Sequence, residues 1–431
     1  MYNPVRIALA GIFAWLFFWI VTPVYATNTI APSAIAYVAF CYVGFFLGCF
    51  AYSAARTKSQ AATAVSAWNI PFRKGLFWIS ILLGVTGMTL RFYDRIVLRG
   101  ADFGNALDLR ETLTQVAAGP VSIAGAILLP FCFIPLILLL VSRFKSTQIP
   151  LYFISIIIFF LPAIESLALL SRSIMLTTLA LGFAAVVCTR FQGNIFNRKL
   201  MAATAVGIVL MLIASTLVFI NRLGLSDMSL STSVVLSVYA DNLQPNETAW
   251  RGLVSGSTIE SAFYSTLLSN GMYYISGAFE FSDLWARPDA QPFAYGGYNG
   301  IAYVRALQIV LAPGSDPLFD EADLVHKVGV FQTFFGGLWV DFGYFGPIVM
   351  FLFGYISKLA ATLARAGSIA ALPIYLYIII VIFFMPVSNF VNGGLGNYII
   401  AAFLIVAGFF RARNPTGRKP AGKYESRPVS A

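Results

Sequence analysis

Three arginines, Arg91, Arg95 and Arg99, stand at i, i+4 and i+8 in TLRFYDRIVLRGADFG (89–104), directly after an apolar run. On a helix this spacing sets three guanidinium groups on one face. Each guanidinium is a fork of N–H donors that matches phosphate oxygens two at a time, so the set suits a phosphate-bearing ligand. Local pairing is the competing reading, because Asp94, Asp102 and Asp108 lie close by and long arginine side chains snorkel toward water. Further cations recur downstream: Arg172 in LALLSRSIMLTT, with Glu165 seven residues earlier; Arg222 in FINRLGLSD; then Arg251, Arg287, Arg305 and Lys327. Asp341 lies inside the apolar stretch GVFQTFFGGLWVDFGYFGPIVMFLFGYISKL (328–358). An ionisable group there reads as functional, with an arginine as its natural partner; an Asp capping a helix restart near Phe342 is the alternative. His326, the only histidine, is the side chain that titrates near neutral pH. Asp320, Glu321, Asp323 and Lys327 around it also read as an ordinary solvated helix start.

The elements that must position these groups follow from composition. The chain has 431 residues, 59% apolar and only 11% charged, against about 25% charged in a soluble domain. Apolar stretches long enough to span a bilayer recur from end to end. The expectation is an all-α polytopic membrane protein with ten spans, near 7–26, 33–53, 75–92, 117–141, 150–164, 173–189, 200–220, 333–357, 368–388 and 394–410. Pro162 is expected to end the fifth as a broken helix. The start of the chain imitates a secretory signal, with Val24-Tyr25-Ala26 resembling a cleavage site, but its apolar region is long and more spans follow, so an uncleaved first helix is expected. The four cysteines all sit in apolar runs without a CxxC pair, which argues against a Cys/His metal site or a disulfide framework.

Basic residues set the topology. With both termini inside, the inner segments hold 18 of the 28 Lys and Arg, as the positive-inside rule requires. The acidic residues were not used for this assignment, yet 17 of 18 fall outside or at the outer edge. The net charge of +10 is therefore a topology signal and not a nucleic-acid footprint. The chain divides into helices 1–7 (1–220), a large outer segment (221–332) read as a cap, helices 8–10 (333–410) and a basic inner tail (411–431). Within the cap, TIESAFYSTLLSNGMYYISGAF and NGIAYVRALQIVL read as amphipathic helices on the membrane surface. An outer face that is net negative but keeps arginines at membrane depth points to local binding of an anion. A lipid with a diphosphate head is the anion that belongs at that depth.

Three stretches carry a resemblance: SRSIMLTTLALG (171–182), YYISGAFEFSDLWARPDAQPFAYGGYNGIAYVRALQ (273–308) and FQTFFGGLWVDFGYFGP (331–347). With the layout of spans and one large outer loop, the chain resembles the O-antigen polymerase (Wzy) family of oligosaccharide repeat-unit polymerases. The arginine triplet aligns with no motif of that family. The resemblance implies a glycosyltransferase of the bacterial inner membrane, needing no cofactor or metal, whose donor and acceptor are undecaprenyl-diphosphate-linked oligosaccharides at the periplasmic face. Membrane lipids are the surrounding partners, and a chain-length regulator is left open. Under this reading Arg172, Arg222, Arg91, Arg95 and Arg99 bind the diphosphate. Asp341, Glu165 and His326, in that order, are candidates to act on the acceptor hydroxyl. Arg305, Arg287, Tyr295, Tyr298 and Trp285 face sugars. An O-antigen ligase and a lipid-linked sugar transporter or flippase remain the rivals. The span interiors are almost free of charge, which argues against a path across the membrane.

Overall fold

The computed structural model describes residues 3–55, 72–100, 119–142, 149–168, 173–191, 194, 197–221, 232–233, 236–287, 294–312, 324–325, 332–392 and 395–412. Apolar runs without interior breakers become helices: α1 (Pro4–Val21), α2 (Pro32–Ala55) and α3 (Lys74–Tyr93), the last running into a π turn at Asp94–Leu98. The fourth span is α4 (Pro120–Leu128) and α5 (Ile134–Val141) joined by a 3-10 turn that contains Pro130. Then come α6 (Ile149–Ala168), α7 (Ser173–Arg190) and α8 (Arg198–Asn221). The segment after α8 holds α9 (Glu247–Ser255), α10 (Thr258–Ala286) and α11 (Ile301–Leu311). The chain closes with α12 (Phe334–Phe342), a 3-10 turn at Gly343–Phe345, α13 (Gly346–Arg365), α14 (Ala371–Phe384) and α15 (Gly396–Ala412). A three-residue strand, Val24–Ala26, pairs antiparallel with Leu243–Pro245 and ties the end of α1 to the large segment.

Among the described residues eight helical spans are long and apolar enough to cross a membrane, and Ala371–Phe384 and Gly396–Phe410 form two shorter apolar helices. Large side chains point outward along them, Phe13 at 68% exposure, Phe40 at 65%, Leu82 at 66% and Phe153 at 66%. Such a surface is stable in lipid and not in water. The fold is that of an all-α, multi-pass membrane protein.

Two expectations need correction and a third is resolved. The helix of α6 runs through Pro162 to Ala168; a membrane helix tolerates proline where neighbouring helices and local adjustments satisfy the freed backbone groups. That extra turn carries Glu165. The eighth span is found as Phe334–Arg365, with the restart near Phe342 that the sequence left open: the helix breaks at Gly343, which has φ +51°. The helix α10 does not lie free on a surface: it is buried against the bundle, with Tyr274 stacked on Phe18 (4.5 Å) and Phe279 on Trp19 (5.5 Å). Asn270 on the same helix donates to Thr216 Oγ1 of α8 (2.9 Å).

The closest helix pair is α2 with α13. Gly44 and Gly48 let the backbones meet: a Cβ on Gly48 would sit 1.9 Å from the Phe351 carbonyl oxygen. Lipid gives helices no hydrophobic reason to associate, so van der Waals contact of this kind holds them together. Gly48→Ala is therefore expected to cost about 1–3 kcal/mol through overpacking, read as a lower melting temperature in detergent. Gly75→Ala, where nothing lies within 4 Å of the added methyl, is the control and should melt no lower than the parent.

Candidate functional site

Side chains near helix ends bring together residues far apart in the chain. The first cluster grows from the end of α3. Its last turns lie against α4, where a Cβ on Gly125 would be 2.7 Å from Arg91 Cγ. The absence of a side chain at 125 leaves the groove in which the Arg91 stem lies. An α-helix advances about 40° over each four residues, so three arginines at this spacing would drift around it. The π turn at Asp94–Leu98 winds less per residue and offsets the drift; single π turns are frequent at functional sites.

Glu165, fully buried, organises the arginines. Arg91 Nε donates to Glu165 Oε1 at 2.7 Å, and Arg95 Nη1 donates to the same oxygen. Arg99 Nη2 lies 2.8 Å from Asp94 Oδ2, an ion pair without hydrogen-bond alignment. Arg91, Arg95, Glu165 and Asp94 are all less than 9% exposed. Among the described residues, three guanidinium groups against two carboxylates leave one positive charge in a nearly dry cluster. Among the described residues, the Nη atoms of Arg91 and the Nε and Nη2 atoms of Arg95 meet no acceptor. Glu165 Oε2 is likewise buried without a hydrogen-bond partner among them.

The second cluster is built around Asp341. This carboxylate, expected to face an arginine, instead holds the turn at residues 294–300. Tyr298 N–H donates to Oδ1 (2.8 Å), while Asn299 N–H (2.9 Å) and Asn299 Nδ2 (2.6 Å) donate to Oδ2. The Asp341 carbonyl accepts from Tyr295 N–H at 3.1 Å, and the Val340 carbonyl from Ala294 N–H at 3.0 Å. Both carboxylate oxygens are thus engaged, and the helix restart at Gly346 is not capped by this side chain. Within the turn Tyr295 has φ +49° and Gly296 φ +88°. The bonds to Asp341 hold this strained conformation, of a kind that persists only where surrounding structure over-determines it.

Three asparagines extend the network. Asn299 Oδ1 accepts from Asn389 Nδ2 (2.7 Å), and the Asn299 carbonyl accepts from Asn397 Nδ2 (3.0 Å). Asn389 N–H donates to the Gln332 carbonyl at 2.9 Å. Tyr303 of α11 donates its hydroxyl to the Asn397 carbonyl. Although the Tyr303 ring is 44% exposed, covering of its hydroxyl end raises the phenol above its ordinary pKa, so it stays a neutral donor. Sequence reasoning passed over these asparagines. For two of them, Asn389 and Asn397, the signal was present as PVSNFVNGGLGN (386–397), a run with three amides between apolar helices.

The remaining candidates divide. Tyr295, at 83% exposure, and Arg287 and Arg305 are exposed. Tyr298 is 2% exposed, so its ring offers no face to a sugar in this conformation. Trp285 packs on Trp339 with centroids 4.2 Å apart and donates Nε1–H to Ser33 Oγ at 2.9 Å, which makes it part of an aromatic cluster with Tyr37 and Tyr344. Arg172, Arg222 and His326 lie outside the described residues. A cleft lined by Met175, Leu176, Met211, Tyr273 and Tyr274 separates α7, α8 and α10. No family model, curated protein or solved structure matches this chain.

Proposed function

We propose that the chain is a glycosyltransferase of the bacterial inner membrane that polymerises undecaprenyl-diphosphate-linked oligosaccharide repeat units at the periplasmic face, as O-antigen polymerases of the Wzy type do. The observation that carries the reading is the Arg91–Arg95–Glu165 cluster. Its guanidinium groups are nearly dry, are aimed by one carboxylate oxygen and, among the described residues, keep donors in hand.

In the reaction the bond between the anomeric carbon of the donor glycan and the diphosphate oxygen breaks. The acceptor hydroxyl forms the new bond to that carbon, and its proton ends, in the net balance, on the released diphosphate. The electron pair leaves on the lipid diphosphate, where negative charge grows. Fixed donors in a water-poor site stabilise such charge more strongly than water does and need no reorganisation at the moment of reaction. Glu165 is the counter-ion that holds two arginines ready. Asp341 positions the turn bearing Tyr295, whose exposed ring suits a sugar face.

The test is reconstitution of the purified protein with lipid-diphosphate-linked repeat units alone, with products sized on a gel. A ladder of regular steps with release of free lipid diphosphate is the expected result. Transfer seen only when a final acceptor such as lipid A-core is added would make the chain a ligase. Absence of both products would leave transport of the lipid-linked sugar as its activity.

A further inference from the structure

The helix α10 lies across the C-terminal ends of two spanning helices. Asn270 Nδ2 donates to Thr216 Oγ1 (2.9 Å) and to the Leu212 carbonyl (3.4 Å), both at the end of the apolar span Arg198–Thr216 of α8. One turn on, Tyr274 stacks on Phe18 in the last turn of α1. Residues at i, i+4, i+7 and i+11 share one face of a helix. Counted from Ile259 they are Phe263, Thr266 and Asn270, so the face that grips α8 continues toward the start of α10. At 1.5 Å per residue, Phe263 stands about 10 Å and Ile259 about 16 Å beyond Asn270.

Over that distance the face loses its protein cover among the described residues. Thr266 is half-buried, Phe263 is 60% exposed and Ile259 82% exposed. The opposite side of the same turns is closed. Tyr264 and Leu268 pack with Ala249 and Leu253 of α9, and Ser261 Oγ donates to the Leu253 carbonyl at 3.0 Å. Gly252 lets α9 approach, because a Cβ there would be 2.2 Å from the Tyr264 ring. Ser257 and Glu260 close the helix start with a reciprocal capping box. The bare face is therefore a fixed part of the fold and not a frayed end.

The surface it adjoins already faces lipid. Val209 lies seven residues before Thr216, on the same face of α8, and is 55% exposed. Bare apolar surface thus runs out from the Asn270–Thr216 crossing along both helices. A second copy of the chain is a poor match, because a stable interface takes about 800 Å² from each partner and the overhang offers two side chains.

We propose that the first two turns of α10 are a membrane-docking surface, with Ile259 and Phe263 inserted among the acyl chains of the leaflet around the C-terminal end of α8. A helix lying in the plane of the interface sinks about 5–10 Å into the boundary between headgroups and chains. The membrane contact expected of this helix is thereby confined to its overhang, while the rest of α10 is held by protein. The segment between α8 and α12 gains a hold on the membrane of its own. The proposal is independent of the glycosyltransferase reading.

Full-length protein with a nitrobenzoxadiazole label on Ile259→Cys or Phe263→Cys, in vesicles of phosphatidylethanolamine and phosphatidylglycerol, tests this. The four native cysteines are buried, so the unsubstituted protein gives the labelling background. Val209→Cys supplies the lipid reference, and Glu247→Cys, at an exposed position of α9, the water reference. Labels at 259 and 263 should emit to the blue of the label at 247. They should lose intensity as strongly as the label at 209 when the lipids carry brominated acyl chains, and resist iodide present on both sides of the membrane. Quenching by iodide and not by brominated lipid would put the overhang in water and overturn the proposal. Protection from both quenchers would mean that protein covers it and would overturn the proposal equally, with a doubled particle mass marking a second copy.

Discussion

Glu165→Ala should destabilise the purified protein by about 3–5 kcal/mol, the loss that follows removal of one partner from a buried ion pair, and should abolish glycan transfer. Glu165 has no exposure, and Arg91 and Arg95 both donate to its Oε1. Without it two guanidinium groups, each less than 9% exposed, repel one another and lose the carboxylate that both donate to. Glu165→Gln keeps an acceptor oxygen of nearly the same shape and loses only the charge, so its melting temperature should fall between those of wild type and Ala. Combining Glu165→Ala with Arg95→Met removes one of the uncompensated charges. The double variant should melt above Glu165→Ala, a non-additivity expected of groups in direct contact. Thermal unfolding in detergent reads all four proteins; a Glu165→Ala variant as stable as wild type would mean that the pair is open in solution.

How much of this was legible in the sequence depends on the range of the interaction. Hydropathy marks the spans because lipid demands about 20 apolar residues from each helix on its own. The arginine triplet was legible for the same local reason, since one helix carries all three. Its partner was not. Glu165 lies 74 residues from Arg91 and 70 from Arg95, and the sequence offered nearer carboxylates, of which only Asp94 takes an arginine among the described residues. Pro162 shows a local rule yielding to context: proline signals an end, but the helix continues and Glu165 rides on the continuation. Asp341 was visible as an anomaly in an apolar stretch. Its partners, apart from the Asn299 amide, are backbone N–H groups of a distant turn, which every non-proline residue possesses and which leave no signature.

Asp341→Ala should free the turn at 294–300 and lower transfer by about 100-fold, the scale of loss when a supporting contact lets reacting groups shift by an ångström. The Tyr298 and Asn299 N–H groups and the Asn299 amide all lose their acceptor. A buried donor left unsatisfied costs about 1–3 kcal/mol, but a turn can swing toward water and recover part of that. The global melting temperature should therefore fall less than in Glu165→Ala, while amide hydrogen exchange across 294–300 should rise sharply. Asp341→Asn discriminates between holding and chemistry. One carboxylate oxygen becomes an NH2 facing donors, either the Tyr298 N–H or the pair from Asn299, so as a holder it should resemble Ala in exchange as well as in turnover. If Asp341 acted instead on the acceptor hydroxyl, Asp341→Asn would lose turnover with the exchange of 294–300 unchanged. The two oxygens already accept three donors from the turn, so the geometry favours release of the turn, with Tyr295 losing its fixed presentation as the cause of the lost activity.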